Sequence, residues 1–163
     1  MLFRSIGGND RTMTDQLIVF LPNWRVRDAN MPTSKIGEKH QGRENVVILN
    51  PLNDVLPAKL MATIEIPKGF AGSKPTLLFE ISSAANGKDW GLGVKAMGVD
   101  MLARTKIKLP KDNPWQEVAI DLSALADKHF DVQIEVNSTT KHPKGTSLEF
   151  GYIRNVRFEW KKK

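Results

Sequence analysis

The chain predicts an all-β fold: an antiparallel β-sandwich or barrel of about nine to eleven short strands. Three observations carry this. Apolar and polar residues alternate with period two through much of the chain, most clearly between Trp115 and Trp160. Proline, glycine and asparagine punctuate these segments at short, regular intervals. No stretch repeats apolar residues at helical spacing for long enough to form a long amphipathic helix. Alternation of this kind sets apolar side chains on one side of a sheet, and short strands separated by turn signals describe a sandwich or barrel.

In chain order, residues 1–15 read as a flexible arm, with Gly7, Gly8 and Asn9 in its middle. The run QLIVFLP over residues 16–22 reads as a first strand that ends at Pro22. Residues 23–41 are polar and read as a long surface loop with a short strand around residues 24–26. Residues 44–50 (ENVVILN) form a β-rich strand stopped by Pro51. Pro57 opens the next, in which Leu60, Ala62, Ile64 and Ile66 share a face. Pro67, Gly69, Gly72 and Pro75 mark a turn region. Residues 76–82 follow, with Leu77, Phe79 and Ile81 inward. Asn86-Gly87 is the strongest short hairpin signal of the chain. Residues 90–96 and 100–109 read as partners joined around Met97-Gly98, and residues 110–114 as another turn. Val118, Ile120 and Leu122 then mark one strand, and Phe130, Val132, Ile134 and Val136 a second. Leu148, Phe150 and Tyr152 mark a third, and Val156, Phe158 and Trp160 a fourth. Between the first two, residues 121–128 read as one helical turn with Ser123 as N-cap.

Composition narrows the function. A chain of 163 residues with 40% apolar content suits one domain with a real core, here residues 16–163 after the arm. Cysteine is absent, which excludes disulfides and thiolate chemistry. No apolar run approaches the length of a membrane-spanning helix. The start carries no apolar core of signal-peptide length. That leaves two readings open: a protein made for the cytoplasm, or one whose leader has been removed. The net charge is +6, of which Lys161, Lys162 and Lys163 supply half. The remaining excess is mild and does not by itself imply nucleic acid.

The strand sequences resemble a known family. Trp115, Val118, Asp121, Leu122 and Ser123 are similar to the "W-x-x-V-x-x-D-L-S" that galactose-binding-like jelly rolls often carry before their penultimate strands. Residues 152–156 (YIRNV) resemble the "Y-I-D-N-V" of the last strand, and residues 89–95 (DWGLGVK) the middle hairpin. The resemblance covers residues 44–160. It implies an antiparallel β-sandwich of jelly-roll type, as found in carbohydrate-binding modules and accessory domains of bacterial secreted and surface proteins. It would place the protein outside the cell, in the periplasm or on the cell surface. Many such modules hold a structural calcium ion near an acidic residue of the last strand. The matching position here is Arg154, and a guanidinium cannot ligate calcium. No metal site is carried over, and no cofactor is expected.

Candidate ligand-binding residues are few. Trp90 is in phase with Leu92, Val94 and Ala96, and Trp160 with Val156 and Phe158, so both read as core. Trp115 is out of phase with Val118, Ile120 and Leu122, which puts it on an outer face or over an end of the sandwich. Trp24 lies outside the regular alternation and is the aromatic expected to be free to stack on a sugar ring. Arg104, Lys106 and Lys108 share one parity, and Lys95 lies on the outward face of the partner strand. Together they would form a basic stripe able to attract an acidic polysaccharide. The plainer reading of that stripe is a solvated face or a charged edge against strand addition. For catalysis, His40, His129 and His142 lack metal-ligand spacing, and no nucleophile elbow or phosphate loop is present. Glu80 and Glu149 fit outward strand positions, where charge means solubility. No nucleic-acid motif occurs. The expected role is non-catalytic binding of a neutral or acidic polysaccharide. A protein-interaction sandwich without a sugar ligand is the first alternative, and a small polysaccharide-active enzyme the second.

Overall fold

The structure, a computed structural model, describes residues 9–67, 73–85, 89–140 and 149–162. After a helix α1 (Asn9–Leu17) come ten strands. They are β1 (Trp24–Arg27), β2 (Lys35–His40), β3 (Arg43–Leu49), β4 (Ala58–Glu65), β5 (Ser73–Ser82), β6 (Trp90–Ala96), β7 (Val99–Ile107), β8 (Trp115–Asp121), β9 (His129–Asn137) and β10 (Gly151–Lys162). They form two antiparallel five-stranded sheets packed as a sandwich, in the orders β1-β4-β9-β6-β7 and β2-β3-β10-β5-β8. From β3 onward the chain crosses between the sheets at every connection except the β6–β7 hairpin. This crossing pattern is that of the expected jelly-roll sandwich.

Two hairpins stay within a sheet, and the backbone shows why. Met97 and Gly98 both have positive φ, 53° and 75°, between the paired Ala96 and Val99. Gln41 and Gly42, at 49° and 80°, do the same between His40 and Arg43. Two left-handed residues in a two-residue loop match the twist of the flanking strands. Asn86-Gly87 lies outside the described residues. The strands on either side, β5 and β6, belong to different sheets and are not hairpin partners.

The core lies between the sheets. Leu60 and Ala62 of β4, Leu77, Phe79 and Ile81 of β5, Trp90, Leu92 and Val94 of β6, and Val132, Ile134 and Val136 of β9 are all buried there. Trp90 is fully buried, and its indole nitrogen donates to the Ser82 carbonyl at 2.8 Å. A Cβ on Gly151 would stand 2.5 Å from Val136 Cγ2 and 3.0 Å from Trp90 Cε3, so only glycine lets β10 enter this close to the opposite sheet.

Several expectations are corrected. The flexible arm read over residues 1–15 is helical from Asn9 onward, while residues 1–8 lie outside the described ones. The strand read over residues 16–22 is the end of α1 and the turns after it. Met13, Leu17 and Leu21 recur every four residues and are all buried, whereas Ile18 and Val19 of the same apolar run are exposed. A single turn-to-turn stripe is thus buried, not two strand faces. The helix packs on β1 and β2, an edge strand of each sheet, and closes that side of the sandwich. Thr14 Oγ1 accepts the Val26 amide at 3.0 Å and ties it there. The loop read over residues 23–41 contains β2 as well as the expected short strand, β1. Residues 123–125 form a 3₁₀ turn, but Ser123 does not cap it. Asp121 Oδ1 instead accepts the Ser123 amide at 2.9 Å.

The last two expected strands are one. Within β10, Arg154 pairs with Glu80 and Arg157 with Leu78, so three residue steps oppose two. This is a β-bulge, with Asn155 at φ 53°. An extra residue flips the side-chain phase. Tyr152 therefore faces outward beside Ser82 and Trp115, whereas Val156, Phe158 and Trp160 turn toward the other sheet. Among the described residues no helix is long and apolar enough to cross a membrane, which says nothing of strands.

Candidate functional site

At one end of the sandwich, β10 runs on past the tightly filled core. Its inner face there is only partly covered, and Phe158 and Trp160 are 41% and 43% exposed. They line a cavity of about 290 Å³ between the ends of the two sheets. Ile64, Ile66 and Pro67 come from one side, and Pro75, Thr76 and Leu122 from the other, and Glu65 and Glu159 of the same strands also border it. Arg157 Nε donates to Glu159 at 2.6 Å and its Nη2 to Glu117 at 3.0 Å, which holds the Glu159 carboxylate on the outer face of β10, away from the two rings. Behind the pocket, the Trp24 ring stacks on Phe158 with centroids 5.9 Å apart and planes 12° from parallel. The site is a walled aromatic and apolar surface open at one end. It can receive the apolar face of a small ring.

The bulge that aims these aromatics is held by Glu80. The residue is 9% exposed, and its carboxylate accepts from Asn155 Nδ2 at 2.8 Å, Arg154 Nη1 at 2.9 Å, and Arg43 Nη1. Burial alone would raise its pKa. The hydrogen bonds from Asn155 and Arg154, the Arg154 charge and the Arg43 bond outweigh burial and hold it below the ordinary value. Glu80 is therefore not the solvating outward residue expected. Glu149 is also buried, and it accepts from the amides and hydroxyls of Thr139 and Thr140. Both carboxylates are committed to structural hydrogen bonds.

The residues singled out from sequence fall in three places. Trp24 is 6% exposed and is not a free platform: it supports Phe158 from behind. Trp115 lies on the outer face of the second sheet, buried under Arg43, whose guanidinium carbon is 5.2 Å from its ring centroid. Lys95, Arg104 and Lys106 do share the outer face of the first sheet. Arg104 lies across Gly91, where a Cβ would stand 3.3 Å from its Cγ, and Lys106 pairs with that same glycine in register. Carboxylates interleave the stripe: Glu135 is 4.0 Å from Lys95 and Asp89 is 3.8 Å from Lys106. Sequence reasoning missed Phe158 and Trp160 as surface residues. Their phase was read correctly as inward, but alternation does not reveal where the opposite sheet ends. Among the described residues no three His, Asp or Glu side chains gather as metal ligands. His142 lies outside the described residues.

No protein-family model matches the chain, and no curated protein matches it. Solved structures do. A CBM35 from Paenibacillus barcinonensis is 12% identical, covering 84% of this chain and 92% of its own, with a TM-score of 0.48. A family 35 carbohydrate-binding module from Clostridium thermocellum is 11% identical, covering 80% and 90%, with a TM-score of 0.46. The K1 cleaved adhesin domain of Lys-gingipain from Porphyromonas gingivalis W83 is 12% identical, covering 83% and 82%, with a TM-score of 0.49. The first two are carbohydrate-binding modules.

Proposed function

We propose that the protein is a non-catalytic carbohydrate-binding module and that the pocket at the end of the sandwich receives the sugar. The observation that carries this reading is the pair of half-exposed aromatics, Phe158 and Trp160, in a cavity near the lower end of the size range of ligand pockets. A pyranose presents C–H groups on one face and hydroxyls at its edge. Indole and phenyl rings match the first and leave the hydroxyl edge turned to water at the open end. The size fits one ring, so the ligand is a terminal or single exposed sugar of a longer glycan.

Isothermal titration against a panel of neutral oligosaccharides tests this. At least one should bind, and Trp160→Ala should weaken it by about 1–3 kcal/mol, the range for an aromatic anchor at a binding site. Because Trp160 is 43% exposed, the variant should keep its fold, and its melting temperature serves as the control. Binding that is indifferent to Trp160→Ala would remove the end pocket as the site.

A further inference from the structure

Around the end pocket the side-chain oxygens point away and the amides at its floor are already bonded. Glu65 lies out of phase with Ile64, and Glu159 out of phase with Phe158 and Trp160, so both sit on the outer faces of their strands. Thr76 pairs with Glu159 and faces the same way, and its hydroxyl donates to the Lys74 carbonyl at 3.1 Å. What remains as wall is Ile64, Ile66, Pro67, Pro75 and Leu122 with the two rings. The Ile66 amide donates to the Lys128 carbonyl at 3.1 Å, and the Ile66 carbonyl accepts from the Asp127 amide at 2.7 Å. The Leu122 amide donates to the Pro75 carbonyl at 2.8 Å. Pro67 and Pro75 have no amide hydrogen to offer.

Such a wall gives an entering hydroxyl no replacement for the water it leaves behind. A polar group buried without a partner is penalised, whereas a buried methyl group is stabilised by leaving water. The ring carbons of a hexose carry hydroxyls along most of its edge. One edge becomes free of hydroxyls when the exocyclic carbon, C6, is a methyl group, because C5 and C6 then bear only hydrogen. We propose that the end pocket selects a 6-deoxy sugar, with its C6 methyl against Phe158 and Trp160 and its ring hydroxyls in water. The choice of a sugar rests on the carbohydrate-binding reading above, whereas the missing hydroxyl rests on the composition and bonding of the wall.

The test compares sugars that differ only in what C5 carries. For the gluco, galacto and manno rings, in both hands, these are the methyl glycosides of the hexose, of the pentose lacking C6, and of the 6-deoxyhexose. Each is titrated calorimetrically into the full chain and into Trp160→Ala, alongside the neutral oligosaccharides. In at least one series the 6-deoxyhexose should bind about tenfold or more tighter than the hexose, within the range by which an apolar pocket rejects an added hydroxyl. The pentose should fall between them, about fourfold weaker than the 6-deoxyhexose, as the loss of one buried methyl group would give. Trp160→Ala should remove most of the 6-deoxy advantage. A hexose that binds as tightly as its 6-deoxy counterpart, with both weakened by Trp160→Ala, would overturn the selection and leave the end pocket as the sugar site. Trp160-dependent binding of a neutral oligosaccharide, with no 6-deoxyhexose bound, would do the same. A 6-deoxy preference indifferent to Trp160→Ala, or no binding by any of these sugars, would overturn both the selection and the end pocket.

Discussion

Replacing Glu80 by glutamine should destabilise the protein at neutral pH and barely at acid pH. The side chain keeps its shape but loses its charge and part of its accepting capacity. Three donors lose their anionic partner: Asn155 at 2.8 Å, Arg154 at 2.9 Å, and Arg43. A hydrogen bond to a charged group contributes about 1.5–3 kcal/mol. The Arg43 side chain is 45% exposed and can return to water, so its share is small. Glutamine still accepts one bond, which leaves a net loss of about 2–4 kcal/mol. In a domain of this size each kcal/mol moves the melting temperature by about 2–4 °C, so a drop of about 5–15 °C is expected. Folding lowers the pKa of this carboxyl, so its ionised form stabilises the native state above the ordinary carboxylate range. That contribution fades as the pH falls through the folded-state pKa, because the protonated wild-type group then resembles the amide. Circular dichroism melts of both proteins from neutral to acid pH read this directly. A variant that melts within about 1 °C of wild type at neutral pH, or a gap that stays constant into acid, would refute the role given to Glu80.

Three further outcomes follow from the packing. Gly151→Ala should cost about 1–3 kcal/mol in a urea titration, because its Cβ would overlap the fully buried Val136 and touch Trp90. Leu17→Ala should cost about 2–4 kcal/mol, while Val19→Ala, at a side chain 83% exposed, should change stability by less than about 0.5 kcal/mol. Equal effects of the two would mean that α1 does not pack as described. Millimolar calcium should leave the melting temperature unchanged, since Arg154 already supplies the cation beside Glu80. A rise reversed by a chelator would contradict this.

Period-two alternation found most of β3 to β9, because each strand buries one face and the pattern needs no knowledge of partners. It failed where a local device changed the phase. Tyr152 and Val156 have the same parity, and only the bulge at Asn155 sends one outward and the other inward. It failed again at residues 16–22, where five consecutive apolar residues fit a buried strand as well as a helix end. The spacing of Met13, Leu17 and Leu21 was the deciding signal. The candidate site was less legible than the fold. Trp160 is in phase with the core and yet stands where the core stops. Trp24 lies outside the long runs of alternation and yet is buried, because it shares the inward face of the short strand β1 with Val26 and stacks on Phe158. Glu80 looked like a solvated strand carboxylate, since the donors that bury it come from residues 43, 154 and 155, far away in the chain.

The most direct measurement is a nitrogen–proton correlation spectrum of the labelled protein, followed while a neutral oligosaccharide found to bind is titrated in. The chain has four tryptophans, so four indole signals report on four known environments. Trp90 is sealed in the core, Trp115 lies beneath Arg43, Trp24 sits behind Phe158, and Trp160 lines the end pocket. If the pocket holds the sugar, the Trp160 indole signal shifts furthest, Trp24 follows weakly through Phe158, and Trp90 stays in place. A saturable titration in which the Trp160 signal does not move would contradict the account.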